Sequence, residues 1–130
     1  MGEIGDYIIS PVLSIDIDSS VQEAAMFMTA NNIGSLLVKK IDDYVGIVTE
    51  TDLARKVLGK GLDPESTGIE EIMTSPVLSM DRYLPVEEAN CFMRKNKIRH
   101  LGVSEEDKIV GILSVKDLVD YFSKDFSMQG

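Results

Sequence analysis

Two short segments of the sequence combine a hydroxyl side chain with a carboxylate at the same spacing. Thr49 precedes Asp52 by three residues, and Ser114 precedes Asp117 by three. Each pair follows an apolar run, so it falls where a strand is expected to lead into a helix. A carboxylate there can accept hydrogen bonds from the vicinal hydroxyls of a ribose, and a helix start favours a phosphate. The spacing therefore suits a ribose phosphate ligand.

The same pattern is also typical of a helix cap. A Thr or Ser at the helix start accepts a hydrogen bond from an amide of the first turn, and the acid three residues later satisfies a further donor there. Both interpretations can hold at once when no ligand is bound. The sequence leaves open whether Thr49 and Asp52 cap a helix, bind a ligand, or do both.

An internal repeat of 65 residues brings the two segments to equivalent positions. Shifted by 65 residues, the chain aligns with itself without a gap, and 22 of the 55 pairs from Ile4/Ile69 to Leu58/Ser123 are identical. Such self-similarity indicates two copies of one structural unit. The predicted boundaries are repeat one at 1–58, a Gly-rich linker at 59–68, repeat two at 69–123 and a C-terminal tail at 124–130.

Each repeat is predicted to fold in the order β-α-β-β-α, which gives an α/β (α+β) protein with small sheets. Ser19 is predicted to cap the first helix of repeat one, and Pro85 to be the first helical residue of its counterpart. Asn31 and Asn96 are typical of helix ends. Because each repeat has only about 55 residues, we expect the two to share a core and to pack face to face with pseudo-twofold symmetry.

Two segments carry a resemblance to a known family. Gly46-Ile47-Val48-Thr49-Glu50-Thr51-Asp52 and Gly111-Ile112-Leu113-Ser114-Val115-Lys116-Asp117 resemble the Gly-h-x-Thr/Ser-x-x-Asp pattern (h, apolar) of tandem cystathionine-β-synthase-type (CBS) domains. The resemblance extends from Ile4 to about Ser123. It implies a regulatory CBS pair that binds an adenosine compound, such as AMP, ADP, ATP or S-adenosylmethionine, between its repeats. It also implies assembly as a homodimer.

The resemblance further implies two ligand sites, each shared by both repeats. Residues of the first site are Ile47, Thr49, Thr51, Asp52, Pro76, Val77, Arg99 and His100. Residues of the second are Ile9, Ser10, Pro11, Val12, Gly34, Ser35, Ile112, Ser114, Lys116 and Asp117. We expect the first site to bind more strongly, because Arg99 and His100 can hold a phosphate while the second site has only Lys116 as a cation.

Several of these residues also fit a purely structural role. His100 fits a structural histidine as well as a phosphate ligand, and Ile47, Ile112 and Val12 fit core strands. The alternative to a ligand-sensing function is therefore a structural dimerisation module whose sites stay empty.

Composition limits the functions that are open to the chain. Its formal net charge of −9 disfavours nucleic-acid and anionic membrane partners, because like charges repel. The single cysteine, Cys91, excludes an internal disulfide and is predicted to lie in a helix core.

With one histidine and no nucleophile pattern, we predict no catalysis, no metal and no catalytic cofactor. Neither a signal peptide nor a membrane span is recognisable, which favours a cytoplasmic location. The sequence does not identify the regulated protein.

Overall fold

The computed structural model describes residues 2–8 and 12–119. It confirms the predicted mixed α and β class, because two three-stranded sheets alternate with helices along the chain. No helix in these residues has the length and apolar character that a membrane crossing needs.

Repeat one supplies one sheet and two helical segments. Its elements are β1 (Ser14–Asp16), α1 (Val21–Asn31), β2 (Ser35–Lys40), β3 (Asp43–Thr49) and α2, which begins as an α-helical turn (Glu50–Asp52), continues as a π-helical turn (Leu53–Val57) and ends as a 3₁₀ turn (Leu58–Lys60). The strand β2 lies between β1, to which it is parallel, and β3, to which it is antiparallel.

Repeat two reproduces this arrangement. Its elements are β4 (Ser79–Asp81), α3 (Val86–Asn96), β5 (His100–Glu105), β6 (Lys108–Ser114) and the helical residues 115–119. The central strand β5 is again parallel to the first strand and antiparallel to the third. The β-α-β-β-α order predicted for each repeat is therefore confirmed over the described residues.

Each compact unit of the molecule contains the opening segment of the other repeat. One unit, here called the repeat-one unit, comprises Leu13–Val77. The other, the repeat-two unit, comprises Met1–Val12 and Leu78–Gly130 as far as these are described. The equivalent residues Ile4 and Ile69 show the exchange, because Ile69 is fully buried in the core of the repeat-one unit and Ile4 in that of the repeat-two unit. How the two units pack on each other stays a prediction.

The segment predicted as a linker is an ordered part of the repeat-one unit. The carbonyls of Pro64 and Thr67 accept hydrogen bonds from the amides of Gln22 and Val21, at 3.0 and 2.9 Å. Thr67 is only 6% exposed. The Gly- and Ser-containing residues before repeat two thus complete the start of α1.

The first helix of each repeat begins one residue later than the sequence predicts. Ser20 rather than Ser19 caps α1, and its Oγ accepts a hydrogen bond from a first-turn amide at 3.1 Å. Pro85 is the N-cap of α3 instead of its first helical residue. The reason is tertiary, because the amides of Val21 and Val86 donate to the carbonyls of Thr67 and Gly2, at 2.9 and 3.0 Å. These carbonyls begin the two exchanged segments, which are residues 67–77 in the repeat-one unit and the described residues among 2–12 in the repeat-two unit.

Asn31 and Asn96 are the last residues of these helices, as the sequence predicts. Their side-chain amides donate to carbonyls four residues earlier at 2.9 and 2.8 Å. The left-handed residues that end the helices follow directly and are Asn32 and Lys97, with φ of 52° and 55°. An asparagine suits either position, so its type alone does not separate them.

The cores of the two units use equivalent helix faces. Their buried helical residues are Val21, Ala24 and Met28 of α1, and Val86, Ala89 and Met93 of α3, as the helical spacing predicts. The core position predicted for Cys91 is wrong, because this residue is exposed. It follows Ala89 by two residues, which turns its side chain about 200° away from the buried face.

Gly46 and Gly111 allow an exchanged segment to approach the last strand of each sheet. A Cβ added at Gly46 would lie 3.0 Å from the carbonyl oxygen of Thr74 and 2.6 Å from Sδ of Met73. A Cβ added at Gly111 would lie 2.7 Å from Cδ1 of Ile8. Both positions therefore need a residue without a side chain.

We expect Gly46→Ala to lower the free energy of unfolding by about 1–3 kcal/mol, because the backbone at Thr74 must move away from β3. Urea denaturation of the full chain measures this change. Gly68→Ala is the matched control, since its new Cβ would find its nearest neighbour at 3.9 Å, and it should change stability by less than about 1 kcal/mol. Equal losses in the two variants would show that the close approach at Gly46 does not matter.

Candidate functional site

Reciprocal hydrogen bonds between Thr49 and Asp52 hold the junction of β3 and α2. Oδ2 of Asp52 accepts from the Thr49 amide at 3.0 Å and from its Oγ1 at 3.2 Å. In return, Oγ1 of Thr49 accepts from the Asp52 amide at 3.3 Å. The capping interpretation of this pair is thus confirmed, and the carboxylate is fixed at the helix start with 7% exposure.

Ser114 and Asp117 repeat the same arrangement at the end of β6. Oδ2 of Asp117 accepts from the Ser114 amide at 3.1 Å and from its Oγ at 2.8 Å, while Oγ accepts from the Asp117 amide at 3.2 Å. Ser114 is buried and Asp117 is half-buried. The chain therefore presents two carboxylates that equivalent backbone geometry positions.

At both junctions, the first helical amide donates to the carbonyl of the residue that precedes the central strand of the sheet. The Glu50 amide donates to the carbonyl of Gly34 at 3.0 Å, and the Val115 amide donates to that of Arg99 at 2.9 Å. Among the strand residues that follow, His100 of β5 lies opposite Ser114 of β6 in the sheet register. Gly34 and Arg99 thus each support the helix start of their own unit.

The exchanged segment at residues 74–77 lies beside β3 in the repeat-one unit. Ile47 and Thr74 exchange two backbone hydrogen bonds, of 3.0 and 2.9 Å, and Oγ of Ser75 donates to the Val45 carbonyl at 2.7 Å. Pro76, which follows a cis peptide bond, is exposed. Ile47 is 8% exposed, so the backbone of this segment covers the strand that leads to Asp52.

Lys56 is a member of this site that the sequence analysis missed. Its Nζ lies 2.9 Å from Oδ1 of Asp52 and donates to the carbonyl of Ile72 at 3.0 Å. The ion pair joins residues four apart on one helix, a spacing that could have revealed it in the sequence. The contact with Ile72 joins α2 to the exchanged segment and has no such local signal.

The structure assigns the predicted site residues to the two units as follows. Of the first predicted site, the repeat-one unit holds Ile47, Thr49, Thr51, Asp52, Pro76 and Val77, and the repeat-two unit holds Arg99 and His100. Of the second, the repeat-two unit holds Val12, Ile112, Ser114, Lys116 and Asp117, and the repeat-one unit holds Gly34 and Ser35. The remaining predicted residues, Ile9, Ser10 and Pro11, lie outside the described residues. That these groups form shared ligand sites stays a prediction.

The cations of the repeat-two unit differ in their surroundings. Arg94 and Lys95 occupy the last turn of α3, where positive charge suits the helix dipole. Arg99, which precedes β5, and Lys116, which precedes Asp117, are both exposed. Over the described part of the chain, no group of His, Cys, Asp and Glu side chains is arranged to hold a metal ion.

An exposed polar cluster lies at the end of β5 that is remote from His100. The Tyr83 hydroxyl donates to Oε1 of Glu105 at 2.7 Å, and Arg82 lies 3.3 Å from Oε2. The hydrogen bond from Tyr83 lowers the pKa of Glu105, and Arg82 lowers it further. This cluster lies at the turn between β5 and β6, at the opposite end of these strands from the Asp117 junction.

Known proteins share this architecture over most of the chain. The CBS protein YhcV of Bacillus subtilis is 27% identical over 118 residues, which are 91% of this chain and 84% of that protein. Other curated relatives are longer, and the chain spans about half of their length. Among solved structures, an uncharacterised conserved protein of Pyrococcus horikoshii gives a TM-score of 0.88 at 32% identity, covering 93% of this chain and 92% of the other.

One solved neighbour contains adenosine compounds. The CBS domain pair of protein MJ0100, in complex with 5′-methylthioadenosine and S-adenosylmethionine, gives a TM-score of 0.85 at 28% identity and covers 95% of this chain and 97% of that one. The sequence profile of the CBS domain matches residues 4–59 and again residues 69–124. The chain therefore belongs to the CBS domain family and consists of two CBS domains in tandem.

Proposed function

We propose that this chain is a regulatory module that binds an adenine nucleotide (AMP, ADP or ATP) and signals its presence to a partner protein. The observation that carries the proposal is the pair of carboxylates, Asp52 and Asp117, which capping boxes fix at equivalent strand–helix junctions. S-adenosylmethionine or a related adenosine compound is the alternative ligand, and the ligands of MJ0100 support this class of compound.

The chemistry of the junctions supports a ribose ligand. A carboxylate that the backbone already orients can accept further hydrogen bonds from vicinal hydroxyls, and such charge-assisted bonds are the stronger kind. Ile47 binds both backbone groups of Thr74, so the base of the ligand would meet the backbone of the residues that follow Thr74. Arg99 and His100, and in the second site Lys116, are proposed to supply positive charge for phosphates.

We propose that this site serves signalling rather than catalysis. Binding changes the population of two arrangements of a protein only by the difference between its affinities for them. We propose that nucleotide binding acts in this way on the surface that the partner protein recognises. The cytoplasmic location and the absence of catalysis expected from the sequence stay predictions.

Calorimetric titration of the full chain with AMP, ATP and S-adenosylmethionine tests the proposal. We expect at least one compound to bind at sub-millimolar concentration, and Asp52→Asn or Asp117→Asn to weaken binding at its own junction by about tenfold, the value of one lost charge-assisted hydrogen bond.

Asp63→Asn is the matched control. Asp63 forms a similar hydrogen-bonded pair with Ser66, at 3.2 and 2.8 Å, in the segment that precedes repeat two. This variant should bind as tightly as the unmodified chain. Absence of heat with all three compounds would contradict the proposed function.

A second proposal concerns assembly, because the repeat-one unit carries an uncharged apolar surface. A cavity of about 560 Å³ opens between its helices. The lining includes Ala25, Met26, Thr29 and Ala30 of α1 with Leu53 and Leu58 of α2, and holds no charged side chain of the described residues. Met26 is 63% exposed and Leu58 74% exposed, and both line this one cavity, so they form a contiguous apolar patch of the kind found at protein interfaces.

We propose that a second copy of this chain covers this surface. Two copies of a chain with net charge −9 repel each other, so they can approach closely only where charge is absent. The equivalent face of α3 is polar and charged, with Asn90, Cys91, Arg94 and Lys95 at the matching positions. We therefore assign the dimer contact to the repeat-one unit. In this proposal the chain both dimerises and senses a ligand, so the two functions are not alternatives.

Met26→Glu and Leu58→Glu each place a carboxylate on the proposed contact, twice in a symmetric dimer. We expect each variant to weaken dimerisation by at least about tenfold, because the introduced charges are desolvated and face each other. Sedimentation velocity over a concentration series measures the change. Cys91→Glu, the equivalent position of α3, should leave dimerisation unchanged. A monomeric unmodified chain, or equal effects of all three variants, would contradict this assignment.

A further inference from the structure

The two carboxylates of the candidate sites differ in one partner. Oδ1 of Asp52 pairs with Nζ of Lys56 at 2.9 Å. For Asp117, only hydrogen bonds to Oδ2 occur within the described part of the chain. The residue 65 positions after Lys56 is Tyr121, which carries no positive charge. The two repeats thus differ in the residue four positions after the carboxylate, which is Lys56 in repeat one and Tyr121 in repeat two.

The number of hydrogen bonds that each carboxylate can still accept determines how well it can bind a ligand. A carboxylate can accept about four hydrogen bonds, two on each oxygen. Oδ2 of Asp52 already accepts two from Thr49, and Oδ1 accepts one from Lys56. Asp52 therefore retains room for one further donor. None of the described residues donates to Oδ1 of Asp117, which leaves room for two donors there. The two vicinal hydroxyls of a ribose need two acceptor positions.

We propose that Lys56 is a specificity-determining residue that competes with the ligand's ribose hydroxyls for Asp52. The proposal rests on the proposed function and deepens it. The site that contains Asp117 accepts both hydroxyls and binds the nucleoside more tightly. The site that contains Asp52 accepts one hydroxyl while Lys56 remains in place. This order is the reverse of the one expected from the sequence, which weighed Arg99 and His100 but not Lys56.

Lys56 also couples the carboxylate to the exchanged segment. Its Nζ donates to the carbonyl of Ile72 at 3.0 Å, and Ile72 is 2% exposed in the core of the repeat-one unit. Two residues later, Thr74 forms its paired hydrogen bonds with Ile47. A ligand that displaces Lys56 from Asp52 therefore acts on a side chain that also holds this segment.

The side chain of Lys56 is 39% exposed, whereas that of Asp52 is 10% exposed. The ammonium group can therefore reach water when it leaves Asp52, while the carboxylate stays shielded and needs a replacement donor. This asymmetry makes exchange of Lys56 for a ligand hydroxyl possible at moderate cost. It predicts a measurable loss of affinity and no complete block of the site.

The test is a two-site calorimetric titration of the full chain with AMP, adenosine and 2′-deoxy-AMP. We expect Asp117→Asn to weaken the tighter binding event by about tenfold and Asp52→Asn to weaken the weaker one by a similar factor. Lys56→Met should strengthen the weaker event by about two- to fivefold, the range set by a partly exposed ion pair. It should also increase the preference of that event for AMP over 2′-deoxy-AMP, because Asp52 can then accept from both hydroxyls.

Lys56→Arg is the matched control, since an arginine keeps the charge and can still donate to the Ile72 carbonyl. Because it still competes for Asp52, this variant should not strengthen the weaker event. Thermal unfolding of each variant reports its folding, and Lys56→Leu replaces Lys56→Met if the latter does not fold. The preference for AMP over 2′-deoxy-AMP separates competition at Asp52 from a merely structural effect, which would not alter it.

Three outcomes would overturn the inference. Lys56→Met could leave the weaker event unchanged, or Asp52→Asn could weaken the tighter event. Lys56→Met could also weaken AMP binding without affecting adenosine, which would make Lys56 a phosphate contact. In these cases the unmodified chain still binds, so the proposed function stands. If the unmodified chain binds none of the three compounds, the proposed function fails, and this inference fails with it.

Discussion

Satisfaction of the Asp52 carboxylate ties together the parts of the repeat-one unit that surround the candidate site. A charge with 7% exposure is stable only when hydrogen bonds and an opposite charge replace the water it loses. Thr49, at the end of β3, supplies hydrogen bonds to the carboxylate, and Lys56, on the next turn of α2, supplies the opposite charge. Because Lys56 also reaches Ile72, one carboxylate fixes the strand end, the helix start and the exchanged segment.

The exchange of opening segments explains why two small repeats are stable as one chain. Neither repeat contains its complete core, since Ile69 fills the core beside α1 and Ile4 fills the core beside α3. Each segment also satisfies the first amide of the neighbouring helix, at Val21 or Val86. Residues 74–77, which follow Ile69, consequently lie beside β3 and the Asp52 junction, so the same connection serves stability and the candidate site.

Much of this CBS pair could be predicted from local patterns. The strand and helix order, the buried faces of α1 and α3 and the capping boxes at Asp52 and Asp117 depend on residues within four positions of each other. Predictions failed where a distant partner changed the local choice. The helix caps moved to Ser20 and Pro85 because exchanged segments bind the next amide, and Cys91 was placed in the core although its helical angle turns it to the surface.

The sequence by itself determined that the chain has two equivalent units with a carboxylate at each strand–helix junction, because short-range spacing and the 65-residue repeat encode both. Only the tertiary structure decided which core receives Ile4 and Ile69, and which carbonyl Lys56 binds. These contacts use main-chain groups or generic apolar side chains far apart in the sequence. Since any residue offers a carbonyl, and many offer an apolar side chain, residue types do not specify such partners before the chain has folded.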